Sequence, residues 1–403
     1  MLQHSFSLSL FPRIEFGAGT IDLLPGKISL YGQRVLLITG KQSFCQSRHW
    51  NELIIQLEQR QIQWFHITIS AEPSPEFVDS AVKQFFQDRI QCVVTIGGGS
   101  ALDSGKAISG LLPGGDSVME YLEGVGAGKT YTGPALPFIA VPTTAGTGSE
   151  ATKNSVLSQI GEKGFKKSFR DEQLIPQYAI VDPDLLESCP QALIAANGMD
   201  ALTQLMESYL STKANPFTDA LALSGIEAVR DSLLTWYHAD TDQPESTRKI
   251  AQARANMAYA ALISGITLAQ VGLGSVHGLA SPLGAFFPIP HGVACGTVLA
   301  EATRINIQAM LDREPQNRGL GRYAQIGRLL SRQNELNDTQ AQEILVELLS
   351  DWCRQMALEP LSAYGVTEAD VSRLVANISP GSMKTNPIIL TQTEKEQLVR
   401  ARL

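Results

Sequence analysis

Short apolar runs that end in glycine alternate with helical stretches through the first half of the chain, and that alternation leaves few folds open. "RVLLITG" (34–40), "QWFHITI" (63–69), "CVVTIGGGS" (92–100) and "LPFIAVPTTAGTGSE" (136–150) read as strands. "SRHWNELIIQLEQR" (47–60), "SPEFVDSAVKQFFQD" (74–88) and "SALDSGKAISGLL" (100–112) read as the helices between them. Apolar strands separated by helices predict a parallel sheet with helices on both faces. From about Pro190 the period changes. Long helical patterns follow one another and strand signals nearly vanish. Two prolines and an acidic cluster in "VDPDLLESCP" (181–190) mark the change. The expected organisation is an α/β domain over residues 1–187 and an all-α domain over residues 188–403.

Charge narrows the function. The net charge is −8 and the pI about 5.4, which disfavours nucleic acid or an anionic membrane as the main partner. The one local basic cluster, "EKGFKKSFR" (162–170), reads as a solvated turn. The five cysteines are widely spaced and form no C-x-x-C, the pattern of free thiols in a reducing, cytoplasmic setting. "MLQHSFSLSLF" has no basic n-region, so no signal peptide is expected. "ANMAYAALISGITLAQVGLG" (255–274) approaches membrane-spanning length but is diluted by polar residues and glycines, and reads as a buried core helix.

Two glycine-rich loops follow strands of the predicted sheet. In "VVTIGGGSALDSGKAI", Gly97, Gly98 and Gly99 permit close approach to bare backbone N–H groups, and the helix that follows favours an anion at its start. Ser100 is placed to cap that helix and Asp103 lies in its first turn. The spacing is not G-x-G-x-x-G. "VPTTAGTGSEAT" (141–152) adds the hydroxyls of Thr143, Thr144, Thr147, Ser149 and Thr152. Two such loops at strand ends of one sheet suit a dinucleotide.

No Asp, Glu, Lys or Arg occurs from Ala255 to Ala300, yet this stretch holds His277 and His291. Asp200 and Gln204, at i and i+4, share a helical face read as otherwise apolar. A buried aspartate needs a partner or a cation. Asp200 with two imidazoles suits Fe²⁺ or Zn²⁺. Pro282, Pro288 and Pro290 are expected to break the helix between the histidines and turn His291 back towards His277.

"GGGSALDSGKAI", "PTTAGTGSEAT", "GMDALTQLMESYLS" and "VHGLASPLGAFFPIPHGVACG", in this order, resemble the iron-containing (group III) alcohol dehydrogenases over nearly the whole chain. The resemblance implies an NAD(P)-linked oxidoreductase acting on a small alcohol or aldehyde, commonly a homodimer. It implies a pyrophosphate turn at Gly97, Gly98, Gly99 and Ser100. It also implies cofactor contacts from Thr143, Thr144, Thr152, Asn154 and Lys166. Asp200, His277 and His291 match metal ligands of the family. Gln204 stands where the family usually carries a histidine ligand, and would offer a neutral, weaker oxygen donor. Ser281 stands where many members carry a histidine thought to assist proton transfer. Gly40 and Lys41 replace the acid that NAD-preferring members often carry after this strand, which favours NADP over NAD.

Two other readings compete. A metal-dependent lyase of the dehydroquinate synthase type shares the architecture, but its acidic substrate calls for a basic cleft that the uncharged 255–300 stretch does not supply. A catalytically impaired, cofactor-binding relative is suggested by Gln204 and Ser281. "FSLSLFPRIEFG" (6–17) reads as either an edge strand pairing across a dimer or an exposed hairpin.

Overall fold

The computed structural model describes residues 5–239 and 244–403. They form two compact units. One contains Ser9–Gln159 and Gly164–Cys189, and the other contains residues 5–8, Ile160–Lys163 and Pro190–Leu403. The inclusion of Ile160–Lys163 in the second unit has a hydrogen-bonding reason. Gly161 N donates to Ala285 O at 3.1 Å, and Arg373 donates to Glu162 O at 2.6 Å.

The first unit is built on a six-stranded sheet in which every recorded pairing is parallel. Its strands are β1 (Arg13–Phe16), β2 (Arg34–Gly40), β3 (Gln63–Ile69), β4 (Cys92–Gly97), β5 (Phe138–Pro142) and β8 (Tyr178–Val181), in the order β1-β8-β5-β4-β2-β3. Successive residues of β2 point to opposite faces. Leu36 and Ile38 join one core with Val78, Val82 and Phe85. Val35 and Leu37 join the other with Leu53 and Leu57. Both faces are covered, so the central strands are mainly apolar.

The strand order positions the loops. From β2 the chain crosses outward to β3, then returns to lay β4 against the other side of β2. The order reverses between β2 and β4, and the carboxyl ends of such a pair flank the crevice where α/β sheets bind ligands. Gly40 ends β2 and Gly97 ends β4. Thr143 follows β5, its N–H donating to Gly97 O at 3.0 Å.

Several expectations need correction. Residues 6–17 form no hairpin: only Arg13–Phe16 is a strand, at the sheet edge beside β8. The basic cluster is not simply a turn. β7 (Phe165–Arg170) pairs antiparallel with β6 (Asn154–Gln159), and only its last residue, Arg170, is exposed. Ser100 is not a cap. The helix Gly99–Leu111 begins one residue earlier, with Gly98 in the capping position and no side-chain cap bond.

The second unit is helical, as the sequence implied. Its main helices include Gln191–Leu210, Pro216–Tyr237, Pro244–Val271, Ser275–Phe286 and His291–Arg313. Among the described residues no single helix is long and apolar enough to cross a membrane, and Thr247–Val271 and Ser275–Phe286 meet at a bend of 102°. Pro282 does not break the Ser275–Phe286 helix. A proline there deprives Gly278 O of its intrahelical donor. Ser379 N supplies a replacement at 3.0 Å. The break falls instead at Phe287–Pro290, where Ile289 N closes a tight turn onto Phe287 O.

The helix Gly99–Leu111 is stapled to the chain that follows β5 by a fully buried ammonium. Lys106 Nζ donates to Ser149 O (2.8 Å), Ser149 Oγ (2.9 Å), Thr152 Oγ1 (2.9 Å) and Asn154 O (2.6 Å). Its charge lies 3.5 Å from Asp103 Oδ1. Lys106→Met leaves those oxygens buried without their donor and Asp103 without its counter-charge. The expected loss is about 3–5 kcal/mol, measured by urea unfolding with no change in m-value.

Candidate functional site

At the end of β4 the helix Gly99–Leu111 presents its first-turn N–H groups, which have no intrahelical acceptor. Gly98, Gly99 and Ser100 are half-buried there. A Cβ on Gly98 would lie 3.3 Å from Thr144 Cγ2, and one on Gly99 only 2.7 Å from Thr147 Cγ2. The bare glycine backbones therefore let the Thr143–Thr147 loop lie directly on the helix start.

Several residues of this loop bond to one another and to the helix. Asp103 takes the Ser149 hydroxyl and Val156 N–H on its two oxygens, and its backbone carbonyl takes Ser155 Oγ. Ser149 and Thr152 accept from Lys106. The polar atoms of Asp103, Ser149 and Thr152 are thus occupied in holding the loop in place. Asn154 opens β6 and contributes its carbonyl to the same ammonium. Lys166 sits on β7, 3.4 Å from Glu72. Gly40 has open space where a side chain would be, and Lys41 beside it is exposed.

The second constellation lies wholly within the helical unit. Asp200 projects from the middle of the helix Gln191–Leu210 and is fully buried. Neither of its carboxylate oxygens accepts a hydrogen bond. His277 Nε2 lies 3.3 Å and His291 Nε2 3.9 Å from Asp200 Oδ1. The thiol of Cys295 completes the group, and the four donor atoms lie within 4.8 Å of one another. His291 forms the half-open edge of the group, while the other three side chains are buried.

Local structure explains the convergence. His291 is the first residue of its helix and Cys295 follows at i+4, so both leave the same face. Gly292 and Gly296 lie one residue further along. A Cβ on Gly292 would sit 2.4 Å from Ala196 O, and one on Gly296 2.8 Å from Met199 Cβ. Two glycines thus let the His291 helix close onto the backbone of the Asp200 helix.

His277 is set by a residue the sequence reading missed. The helix Ser275–Phe286 starts after Gly274, which has no side chain to cap it. Glu207 supplies the cap from the Asp200 helix, accepting Val276 N–H on Oε1 at 2.7 Å. Its Oε2 lies 2.7 Å from His277 Nδ1. An ionised carboxylate only accepts, so Nδ1 carries the hydrogen and Nε2 faces Asp200. The signal was present in the sequence as a third polar residue, seven after Asp200 on the same helical face.

Gln204 Oε1 accepts the Ser264 hydroxyl at 2.6 Å, one of the two hydrogen bonds an amide oxygen can take. Ser281 Oγ donates to His277 O at 3.3 Å, the usual back-bond of a helical serine, so its proton is already committed.

The titration of the group shows how strongly its members interact. Burial raises the Asp200 carboxyl, but His291 and His277 outweigh that and hold it at about 2. Burial opposes the charged form of His277, yet Cys295, Glu207 and Asp200 raise it well above the ordinary imidazole value. Burial pushes the Cys295 thiol up to about 12. Without a cation, a proton on His277 compensates the buried carboxylates. A divalent ion fits the place of that proton, because the orphaned Asp200 oxygens face the two imidazoles and the thiol.

Comparison with known proteins agrees with this arrangement. Residues 12–183 match the iron-containing alcohol dehydrogenase family, and residues 194–403 match the C-terminal region of the Fe-containing alcohol dehydrogenase family. Alcohol dehydrogenase 4 of Saccharomyces cerevisiae is 39% identical over 239 residues, covering 59% of this chain and 59% of its own length. Alcohol dehydrogenase 4 of Schizosaccharomyces pombe is 31% identical over 392 residues, 96% of this chain and 86% of its own. A solved 1,3-propanediol oxidoreductase superposes with a TM-score of 0.87 at 28% identity, covering 99% of this chain and 100% of that one. This chain belongs to the iron-containing alcohol dehydrogenase family.

Proposed function

We propose that the protein is a metal-dependent, NAD(P)-linked alcohol dehydrogenase that interconverts a small alcohol and its aldehyde. The observation that carries this reading is the fully buried Asp200 carboxylate, its oxygens without hydrogen bonds, facing His277 and His291. Asp200, His277 and His291 would hold the ion. When bound, the ion supplies Lewis-acid polarisation of the substrate oxygen, and the nicotinamide supplies or takes the hydride at the adjacent carbon.

The chain contributes positioning. Glu207 fixes the ring orientation and tautomer of His277. The uncharged residues 255–300 leave no competing fixed charge of their own on the segment that carries both histidines. The first-turn N–H groups at Gly98–Ser100 receive the cofactor pyrophosphate at a helix start. Ser281 does not titrate near neutral pH as an imidazole does, and its hydroxyl donates to His277 O, so it passes a proton only as part of a relay. Gly40 removes the acid that would repel a 2′-phosphate and Lys41 adds a cation beside it, which supports NADP(H) as the preferred form.

Purified protein tested with NADPH and NADH against a panel of small aldehydes, with added Fe²⁺, Zn²⁺ or Mn²⁺, checks the activity. Metal-stimulated cofactor oxidation is expected, and no turnover with any ion overturns the reading. Lys41→Ala is expected to raise KM for NADPH roughly tenfold while leaving KM for NADH unchanged, the loss of about 1.4 kcal/mol from one charged contact. Glu207→Gln keeps an acceptor beside Nδ1 but removes the charge. It is expected to weaken metal affinity about tenfold, read by competition with a chelator.

A further inference from the structure

We propose that the Cys295 thiolate is a ligand of the bound metal, giving an Asp200–His277–His291–Cys295 shell that selects Zn²⁺. The proposal rests on the metal-dependent reading above and adds to it the identity of the fourth donor.

The geometry carries it. Cys295 is fully buried. Its Sγ lies 3.7 Å from His277 Nε2 and 3.9 Å from His291 Nε2. Zinc bonds of about 2.0–2.1 Å to nitrogen, 2.0–2.2 Å to oxygen and 2.3 Å to sulfur place tetrahedral donors about 3.3–3.6 Å apart. Four of the six separations among these donors are 3.3, 3.7, 3.9 and 3.9 Å, and all six lie within 4.8 Å, a shell that must contract onto an ion to reach that spacing. The sulfur sits where a ligand must sit, on the same helical face as His291 and one turn along it. On the opposite helix, the Gln204 oxygen that the sequence nominated is turned to Ser264.

Chemistry adds direction. A carbonyl oxygen at position 204 would suit a hard ion, whereas a thiolate is a soft donor that favours zinc over Fe²⁺ or Mn²⁺. As the ion binds, the S–H bond of Cys295 and the Nε2–H bond of protonated His277 break, the sulfur and nitrogen take the ion in their place, and both protons leave to bulk solvent. No oxidant or reductant is involved.

The test replaces the native ion with Co²⁺ in the full-length protein and reads the absorption spectrum without assaying activity. The expected result is a sulfur-to-cobalt charge-transfer band in the near ultraviolet together with visible bands of tetrahedral Co²⁺. Cys295→Ser is expected to lose the charge-transfer band, keep the visible bands, and bind Zn²⁺ about 10–100-fold more weakly in chelator competition. X-ray absorption of the zinc-loaded wild-type protein, which requires no variant, is expected to show one sulfur at about 2.3 Å. Visible bands without the charge-transfer band, or zinc with only nitrogen and oxygen neighbours, overturn Cys295 as a ligand and leave the Asp–His–His site standing. A charge-transfer band that survives in Cys295→Ser overturns it equally. No cobalt or zinc binding under any condition overturns the metal reading and this proposal together.

Discussion

A carboxylate buried without a hydrogen bond is the constraint around which the helical unit is organised. Asp200 has no exposed surface, and the helix around it is buried from Ile194 to Leu210 except at Asn197. Such a group is tolerated only when compensating charge is held close. That compensation comes from side chains at the starts of two other helices, His277 in the first turn of one and His291 at the first position of the next. Each start has to be fixed for the imidazoles to face Asp200. Glu207 fixes the first, capping the backbone and holding the ring with the two oxygens of one side chain. The turn at Phe287–Pro290 and the bare backbones of Gly292 and Gly296 fix the second.

The first unit also buries charge, and the contrast separates structure from function. Lys106 is as deeply buried as Asp200, but its donors are met by four oxygens of the chain and its charge by Asp103. Nothing in that network asks for a ligand. Its effect is to hold the Thr143–Asn154 segment against the helix whose start lies at the end of β4. The oxygens of Asp200 have no such closure from the protein. Two buried charges, one satisfied from within and one not, point to a staple in the first case and an ion site in the second.

The central strands β2, β4 and β5 were legible because they are buried on both faces, which writes them as mainly apolar runs, whereas β8, only four residues long, left no such signal. The Asp200, His277 and His291 set was legible because an imidazole in an uncharged stretch lacks an ordinary explanation. What escaped the sequence reading depends on partners far along the chain. Pro282 looks like a helix breaker until Ser379 supplies the missing donor to Gly278 O. The bond between Asp103 and Ser149 joins residues 46 apart in the chain. Spacing along one helix also does not reveal that the Ser264 hydroxyl of another donates to Gln204. Glu207 and Cys295 carried weaker signals of the same kind, each one or two turns from a residue already singled out.

The glycines at 292 and 296 show why a metal site and the packing of this unit are one property. With a Cβ at either position, the His291 helix would have to retreat from the Ala196–Met199 backbone. His291 and Cys295 would retreat with it, since they project from the turn of helix that those glycines seat. A donor set spread over three helices can meet at a point only if the helices approach more closely than ordinary side chains allow. The close approach has no other evident beneficiary: it brings an orphaned carboxylate, two imidazoles and a thiol within 4.8 Å of one another. Packing that is tight where the donors converge, and apolar around them, leaves a bound cation as the dominant source of field in the group.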